Sequence, residues 1–189
     1  MSVGVIMEVK LLEEAGYQAA LDGLALNKKQ TKDMSTVAEK LAFHDGGHNK
    51  FLEHIEIWLM VKAPRYWWQE ADTFRLSSKS SESTMHTLMK EIENGSFGVN
   101  SFEGGIHPDV RDLIQDLAKN NDLVSVKQHI PEGFLQKRMW KMSYKTLRNI
   151  ILQRRNHRLP HWQMFIEKVL EQVEHTELLP DGWVRKDGN

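Results

Sequence analysis

The chain has 189 residues, enough for one domain with a real core, and it balances 25 Lys and Arg against 26 Asp and Glu. That balance weighs against a broad nonspecific nucleic-acid surface, which draws on a basic excess. Cysteine is absent, which excludes a disulfide framework, a thiolate metal site and a cysteine nucleophile, and is compatible with a reducing, cytoplasmic setting.

Val3 to Leu12 alternates, with Val5, Met7, Val9 and Leu11 on one side. It reads as a strand that Gly16 ends. Tyr17 to Leu26 reads as a helix striped by Ala20, Leu21, Leu24 and Ala25. Lys28 to Lys32 is polar and is expected to be exposed. Ser35 opens a helix through Val37, Ala38, Leu41 and Ala42, and Gly46-Gly47 closes it. His54 to Ala63 is rich in Ile, Trp, Leu and Val and reads as a strand. Pro64 fixes φ and removes a donor, so the strand stops there.

From Tyr66 to Leu76 the apolar spacing turns helical. The run Leu76-Ser77-Ser78-Lys79-Ser80-Ser81 then reads as a loop, because serine competes locally for backbone hydrogen bonds. Ser83 or Thr84 caps the next helix, through Met85, Leu88, Met89 and Ile92. Hydroxyls at a helix start make a natural anion site. Arg75, just before them, adds charge-assisted hydrogen bonds. The plainer alternative is a polar connection between two core helices.

Asn94 to Gly105 is glycine-rich and reads as a surface loop, with a small hairpin, a lid or a partner contact as alternatives. His107-Pro108 starts a helix carrying Val110, Leu113, Ile114 and Leu117, and Asn120-Asn121 stops it. Further on, Arg148, Arg154, Arg155 and Arg158 form a basic cluster beside His157, His161 and Trp162. The planar guanidinium fork suits phosphate, so the cluster reads either as a nucleotide pocket or as a solvated helix face. Pro160 marks a junction between helices. His161 to about His175 is a helix with a stripe of Phe165, Ile166, Val169, Leu170 and Val173, for a core or a subunit interface. The tail from Asp181 is polar and is expected to fray.

The usual catalytic signatures are missing. The nine histidines show no His-Glu-x-x-His or similarly tight spacing, so no metal site is expected. No Gly-x-Ser-x-Gly elbow and no phosphate-binding glycine motif occurs. No apolar run reaches membrane-spanning length, and no signal-peptide pattern opens the chain.

One stretch does carry a pattern. Gly47-His48, Phe51-Leu52-Glu53-His54 and Lys62-Ala63-Pro64 are followed in the same register by Arg75, Ser78 and Ser83. It resembles the signature region of the flavin-dependent thymidylate synthases. Beyond Ile130-Pro131, Trp140, Asn149, Arg154 or Arg155, and Trp162 take the places of further family positions, in an aromatic helix, a long helix and the start of another. Thr73-Phe74, Ser80-Ser81 and Met85-His86 depart from the family's Arg-His, Asn-Glu and Arg-Tyr.

The resemblance covers residues 40–90 and 130–175. It implies an α+β fold: one domain over 1–189, with a central, largely antiparallel sheet and long packed helices. It also implies a homotetramer with shared active sites. The implied reaction transfers a one-carbon unit from methylenetetrahydrofolate to C5 of dUMP, with FAD supplying the hydride and NADPH reducing the flavin. No enzyme nucleophile is needed there, in keeping with the absence of cysteine. By position, His48, Arg75, Ser78 and Asn149 fall on the flavin side, and Ser83 with Arg154 or Arg155 on the nucleotide side. Arg75 and Ser83 stand nearest the chemistry. The departures leave three outcomes open: thymidylate synthesis, a related C5 modification such as hydroxymethylation, or a lapsed catalyst that binds nucleotide or nucleic acid.

Overall fold

The computed structural model describes residues 6–26 and 33–180. In chain order it holds β1 (Glu8–Ala15), α1 (Tyr17–Leu26), α2 (Ser35–Ala42), β2 (Glu56–Pro64), α3 (Arg65–Ala71) and β3 (Ser77–Ser81). There follow α4 (Thr84–Glu93), α5 (Pro108–Lys119), α6 (Leu123–His129), β4 (Leu135–Ser143), α7 (Tyr144–Arg154) and α8 (His161–Leu170). The strands form one antiparallel sheet in the order β1-β2-β4-β3. This is the α+β class expected.

β2 shows why the sheet forms. Ile57, Leu59, Val61 and Ala63 are fully buried, while Glu56, Trp58, Met60 and Lys62 between them keep some exposure. Period-two alternation gives the strand one face for the core. Burying each large aliphatic chain is worth about 1.5–3 kcal/mol. Pro64 closes the strand in extended geometry, with φ −67° and ψ 153°.

Close packing divides the chain into two compact units, each with its own core. The first comprises residues 6–8, 61–73 and 80–138. Its core includes Leu88, Ile114, Val126, Ile130 and three phenylalanines. Phe102 meets Phe97 edge-on at 5.4 Å and Phe134 at 5.5 Å, between ring centroids. The second comprises residues 9–60, 74–79 and 139–180. Here Trp140 stacks on Phe165 at 5.4 Å, and α7 buries Leu147, Ile150 and Ile151 completely.

Several expectations need correction. The serine run is a strand, β3, not a loop. It bonds to β4 at the sheet's edge, and this pairing overrides serine's local preference. The stretch expected as an aromatic helix is β4, with Trp140 and Met142 buried on one face. Helix α6 did not stand out from the sequence. α3 stops at Ala71, before Phe74 and Arg75, and α8 stops at Leu170. Ser35 does not cap α2: it is the helix's first residue, Met34 holds the cap position without a side-chain bond, and the Asp33 carboxylate accepts from the Ser35 N–H at 2.9 Å. The segment Asn94–Gly105 does lie at the surface, with Asn94, Gly95, Ser96, Val99, Asn100 and Gly104 exposed, but Phe97 and Phe102 anchor it in the core of the first unit. Val3, Val5, the polar run Lys28–Lys32 and the tail from Asp181 lie outside the described residues.

Two backbone and side-chain constraints in the second unit are testable. Gly16 has φ +94°, and a Cβ there would sit 2.0 Å from the His54 carbonyl oxygen. Gly23, inside α1, has nothing within 4 Å of an added Cβ. Gly16→Ala should therefore lower the urea midpoint by the equivalent of roughly 1–3 kcal/mol, while Gly23→Ala should raise it slightly through helix propensity.

Tyr144 is fully buried. Its hydroxyl donates to Glu14 Oε1 at 2.5 Å and accepts from the His175 N–H at 3.3 Å. Burial, then the Glu14 carboxylate, pushes the phenol well above its ordinary range. A raised folded-state pKa means this stability is fully present below the unfolded value of about 10 and is lost as pH climbs beyond it. Tyr144→Phe should cost about 1–3 kcal/mol at neutral pH. It should also flatten the loss of stability above pH ~10 by up to about 1.4 kcal/mol per pH unit, read from urea melts across that range.

Candidate functional site

The second unit carries a cleft of about 410 Å³ where the start of β3, the end of β4 and the start of α7 converge. Alternation along β4 turns Lys141 and Ser143 away from the face that buries Trp140 and Met142. Ser143 caps α7, its hydroxyl accepting from the Thr146 N–H at 3.3 Å. Thr146 in turn donates its hydroxyl to the Leu76 carbonyl at 3.0 Å. That bond fixes the segment bearing Arg75 against the first turn of α7.

The lining holds Arg75, Lys141 and Lys145 against Glu53 and Glu56. Lys141 is committed: it pairs with Glu56 and lies 5.5 Å from the Trp58 ring centroid. Lys145 donates to the side-chain oxygen of Asn49, a buried neutral group. Arg75 is exposed and has no ion-pair partner among the described residues. Arg75 and Lys145 therefore make no ion pair among the described residues, and with Glu56 matched by Lys141 the lining carries two cations against the single carboxylate of Glu53. The hydroxyls of Ser77, Ser78, Ser143 and Thr146 and the N-terminus of an eleven-residue helix surround them. The Ser77 and Thr146 hydroxyls already donate to the Phe74 and Leu76 carbonyls, so the donors that suit a phosphate or pyrophosphate are Arg75, Lys145 and Ser78.

The structure brings Arg75 and Ser78 together in this cleft. His48 is exposed and lines a different cavity of about 200 Å³ with Lys50 and His54, over Ala20, Leu24 and Phe51. Asn149 is half-buried on α7, one turn beyond Lys145. Ser83 is in the first unit, as the residue before α4, and its side chain makes no capping bond. Lys141, Ser143, Lys145 and Thr146 escaped the sequence reading. Their signal was a Ser-x-x-Thr cap following alternating Trp140 and Met142.

The arginine cluster does not converge. Arg148 is buried and paired with Asp45 at 3.2 Å. Arg154 is half-buried between aromatic rings, 5.1 Å from the Trp162 centroid and 5.5 Å from that of Phe74. Arg155 and Arg158 are exposed at the end of α7 and beyond. The cluster is thus part core and part surface, not one nucleotide pocket.

Comparison with solved structures resolves the fold. Thymidylate synthase X from Helicobacter pylori, crystallised with FAD and dUMP, superposes with a TM-score of 0.74 at 16% identity, over 94% of this chain and 99% of that one. A second structure of the Helicobacter pylori flavin-dependent enzyme, complexed with FAD and dUMP, gives a TM-score of 0.77 at 16% identity, over 92% and 98%. The chain has the fold of the flavin-dependent thymidylate synthases. PolB from Streptomyces cacaoi, a UMP/dUMP methylase bound with 5-Br dUMP, superposes with a TM-score of 0.66 at 12% identity, over 94% and 93%. The sequence itself matches no protein-family model and no curated protein.

The two kinds of arginine in the flavin-dependent thymidylate synthase fold of this chain are separable by stability. Arg154→Ala removes a cation from two aromatic faces and should cost about 1–2 kcal/mol in urea unfolding. Arg75→Ala, at an exposed side chain, should leave the unfolding midpoint where it is.

Proposed function

We propose that this protein is a flavin-dependent enzyme that transfers a one-carbon unit from methylenetetrahydrofolate to C5 of dUMP or a closely related pyrimidine nucleotide. The observation that carries the reading is the cleft around Arg75 and Lys145, set at a capped helix N-terminus. It lies in a chain whose structural neighbours were crystallised with FAD and dUMP.

The cleft fits the phosphate end of FAD. Arg75 offers a bidentate fork, Lys145 a point charge, and Ser78 a hydroxyl donor. Lys141, already paired, positions Glu56 and keeps that carboxylate from facing the anion uncompensated. Arg75, Lys145 and Ser78 would hold FAD by its phosphates, and the bound flavin would supply the hydride chemistry, with NADPH as its reductant. Asn149 is within one helical turn of Lys145 and serves as a further polar contact. His48, on its own cavity, serves the folate or flavin side. Ser83 and Arg155 remain the nucleotide-side residues, because Arg154 is held by Phe74 and Trp162. The reaction needs no protein nucleophile, in keeping with a chain that has no cysteine. We further propose a cytoplasmic homotetramer. Among the described residues no helix is long and apolar enough to cross a membrane.

One observation favours the second reading, a binding protein whose catalysis has lapsed. Phe74, where the family pattern has histidine, packs edge-on against Trp162 at 5.8 Å. It offers an incoming flavin no hydrogen bond. An assay for C5 methylation or hydroxymethylation of dUMP decides between the two readings.

The proposal is tested by absorbance and FAD titration of the purified protein, followed by dUMP. A flavin spectrum perturbed by dUMP is expected. Arg75→Ala should weaken FAD binding at least tenfold, about 1.4 kcal/mol, and Arg75→Lys should restore part of it. Absence of saturable FAD binding would sink the flavoenzyme reading.

A further inference from the structure

Asn49 is fully buried, and the contacts proposed above for FAD do not include it. It sits in the chain between His48 and Lys50, which both line the smaller cavity of the second unit. Its side chain reaches Lys145, which lines the cleft: Lys145 Nζ donates to Asn49 Oδ1. Asn49 Nδ2 donates to the Ala42 carbonyl and to Asp45 Oδ1, at 3.4 Å each. Asp45 Oδ1 also takes Arg148 Nη1 at 3.2 Å. Arg148 is 6% exposed and follows Lys145 by one turn of α7. The side chains of Arg148, Asp45, Asn49 and Lys145 thus form a row that leaves α7, crosses the loop bearing His48 and returns to α7 at the cleft.

The partners dictate which way the amide faces. A side-chain amide has an acceptor oxygen and a donor nitrogen, whereas an ammonium only donates. The oxygen therefore faces Lys145, and the nitrogen faces Ala42 and Asp45. A neutral acceptor holds the ammonium in place and leaves its charge intact. An aspartate of the same shape would hold it and cancel it. The carboxylate in the row, Asp45, is matched by Arg148. Two cations and one carboxylate leave one positive charge, and it falls at the end of the row that lines the cleft. The loop is shaped to allow this. Gly46 and Gly47 have φ of +76° and +89°, and the Lys50 N–H donates to the Gly47 carbonyl at 3.2 Å. That tight turn lets Asp45 and Asn49 meet.

We infer that Asn49 is a positioning residue: it fixes the Lys145 ammonium at the cleft as an unneutralised cation, and the Arg148–Asp45 pair behind it fixes the amide. This role rests on the cleft being the anion site proposed above, and it names what sets the charge of that site. A lysine side chain has large rotamer freedom. Ordering it in the free protein removes that cost from the binding step.

The experiment is calorimetric titration of the whole protein with FAD and, separately, with inorganic pyrophosphate, each across a range of salt. Asn49→Ala should weaken both ligands by about three- to tenfold, because a mobile Lys145 must then be ordered on binding, and should leave the salt slope as it is. Asn49→Asp should weaken both by roughly tenfold or more and flatten the salt dependence, because it neutralises Lys145. In a Lys145→Met background Asn49→Ala should cost nothing further, since its effect runs through Lys145. Asn49→Ser keeps a hydroxyl for the Ala42 carbonyl and carries the same double-mutant cycle should Asn49→Ala fail to fold. Full affinity in Asn49→Ala, losses that add in the cycle, or an unchanged salt slope in Asn49→Asp would each overturn the role. Pyrophosphate binding with this pattern but no FAD binding would remove the flavoenzyme reading and leave Asn49 as the positioning residue of an anion site. FAD binding in which position 49 acts independently of Lys145 would do the opposite. Failure of the parent protein to bind either ligand would overturn both.

Discussion

The bond from the Thr146 hydroxyl to the Leu76 carbonyl is the constraint on which the candidate cleft depends. It ties the exposed segment that carries Arg75 to the first turn of α7. That turn is itself fixed from two further directions. Ser143 caps it, and the Tyr144 N–H donates to the Ile55 carbonyl at 2.8 Å. Tyr144 then anchors the helix inward through Glu14. An exposed arginine gains a defined position only because a short chain of buried bonds holds the backbone beneath it. The cleft is therefore preorganised by groups that touch no ligand.

What the sequence disclosed follows from which physical signals are local. β2 and α1 were legible because their apolar residues repeat with period two or nearly four, and the sheet and core accept those faces without contradiction. β3 was not legible. Its five residues are four serines and a lysine, and nothing in them announces a strand. They are polar because they lie at the sheet's edge, where an apolar strand would invite pairing with other chains. Their extended state comes from β4, far away in sequence. β4 was obscured in turn by Lys137, Arg138 and Lys141, charged residues interspersed among its apolar ones, of which Arg138 folds its guanidinium over Trp68.

The site residues divide along the same line. Arg75 and Ser78 were found through a spaced motif, and they share a cleft. Lys145, Ser143 and Thr146 were invisible because the helix that presents them begins at a strand the sequence did not reveal. The arginine cluster misled for the opposite reason. Arg148, Arg154, Arg155 and Arg158 are close in sequence, but a helical turn sends them in different directions. One, Arg148, is buried and pairs with the exposed Asp45, and one goes to a slot between Phe74 and Trp162.

Commitment separates the positive charges into two classes, and the division bears on chemistry. Lys141, Arg148 and Arg154 spend their charge on Glu56, Asp45 and aromatic faces. They stabilise the frame. Arg75, Lys145 and Lys127 meet no carboxylate among the described residues, and each faces a cavity. A fold with a near-zero net charge has carboxylates enough to neutralise them elsewhere on its surface. Leaving three cations without an ion pair, in two concave sites where only Glu53 and the paired Glu56 face them, costs Coulomb energy that an anionic ligand would return.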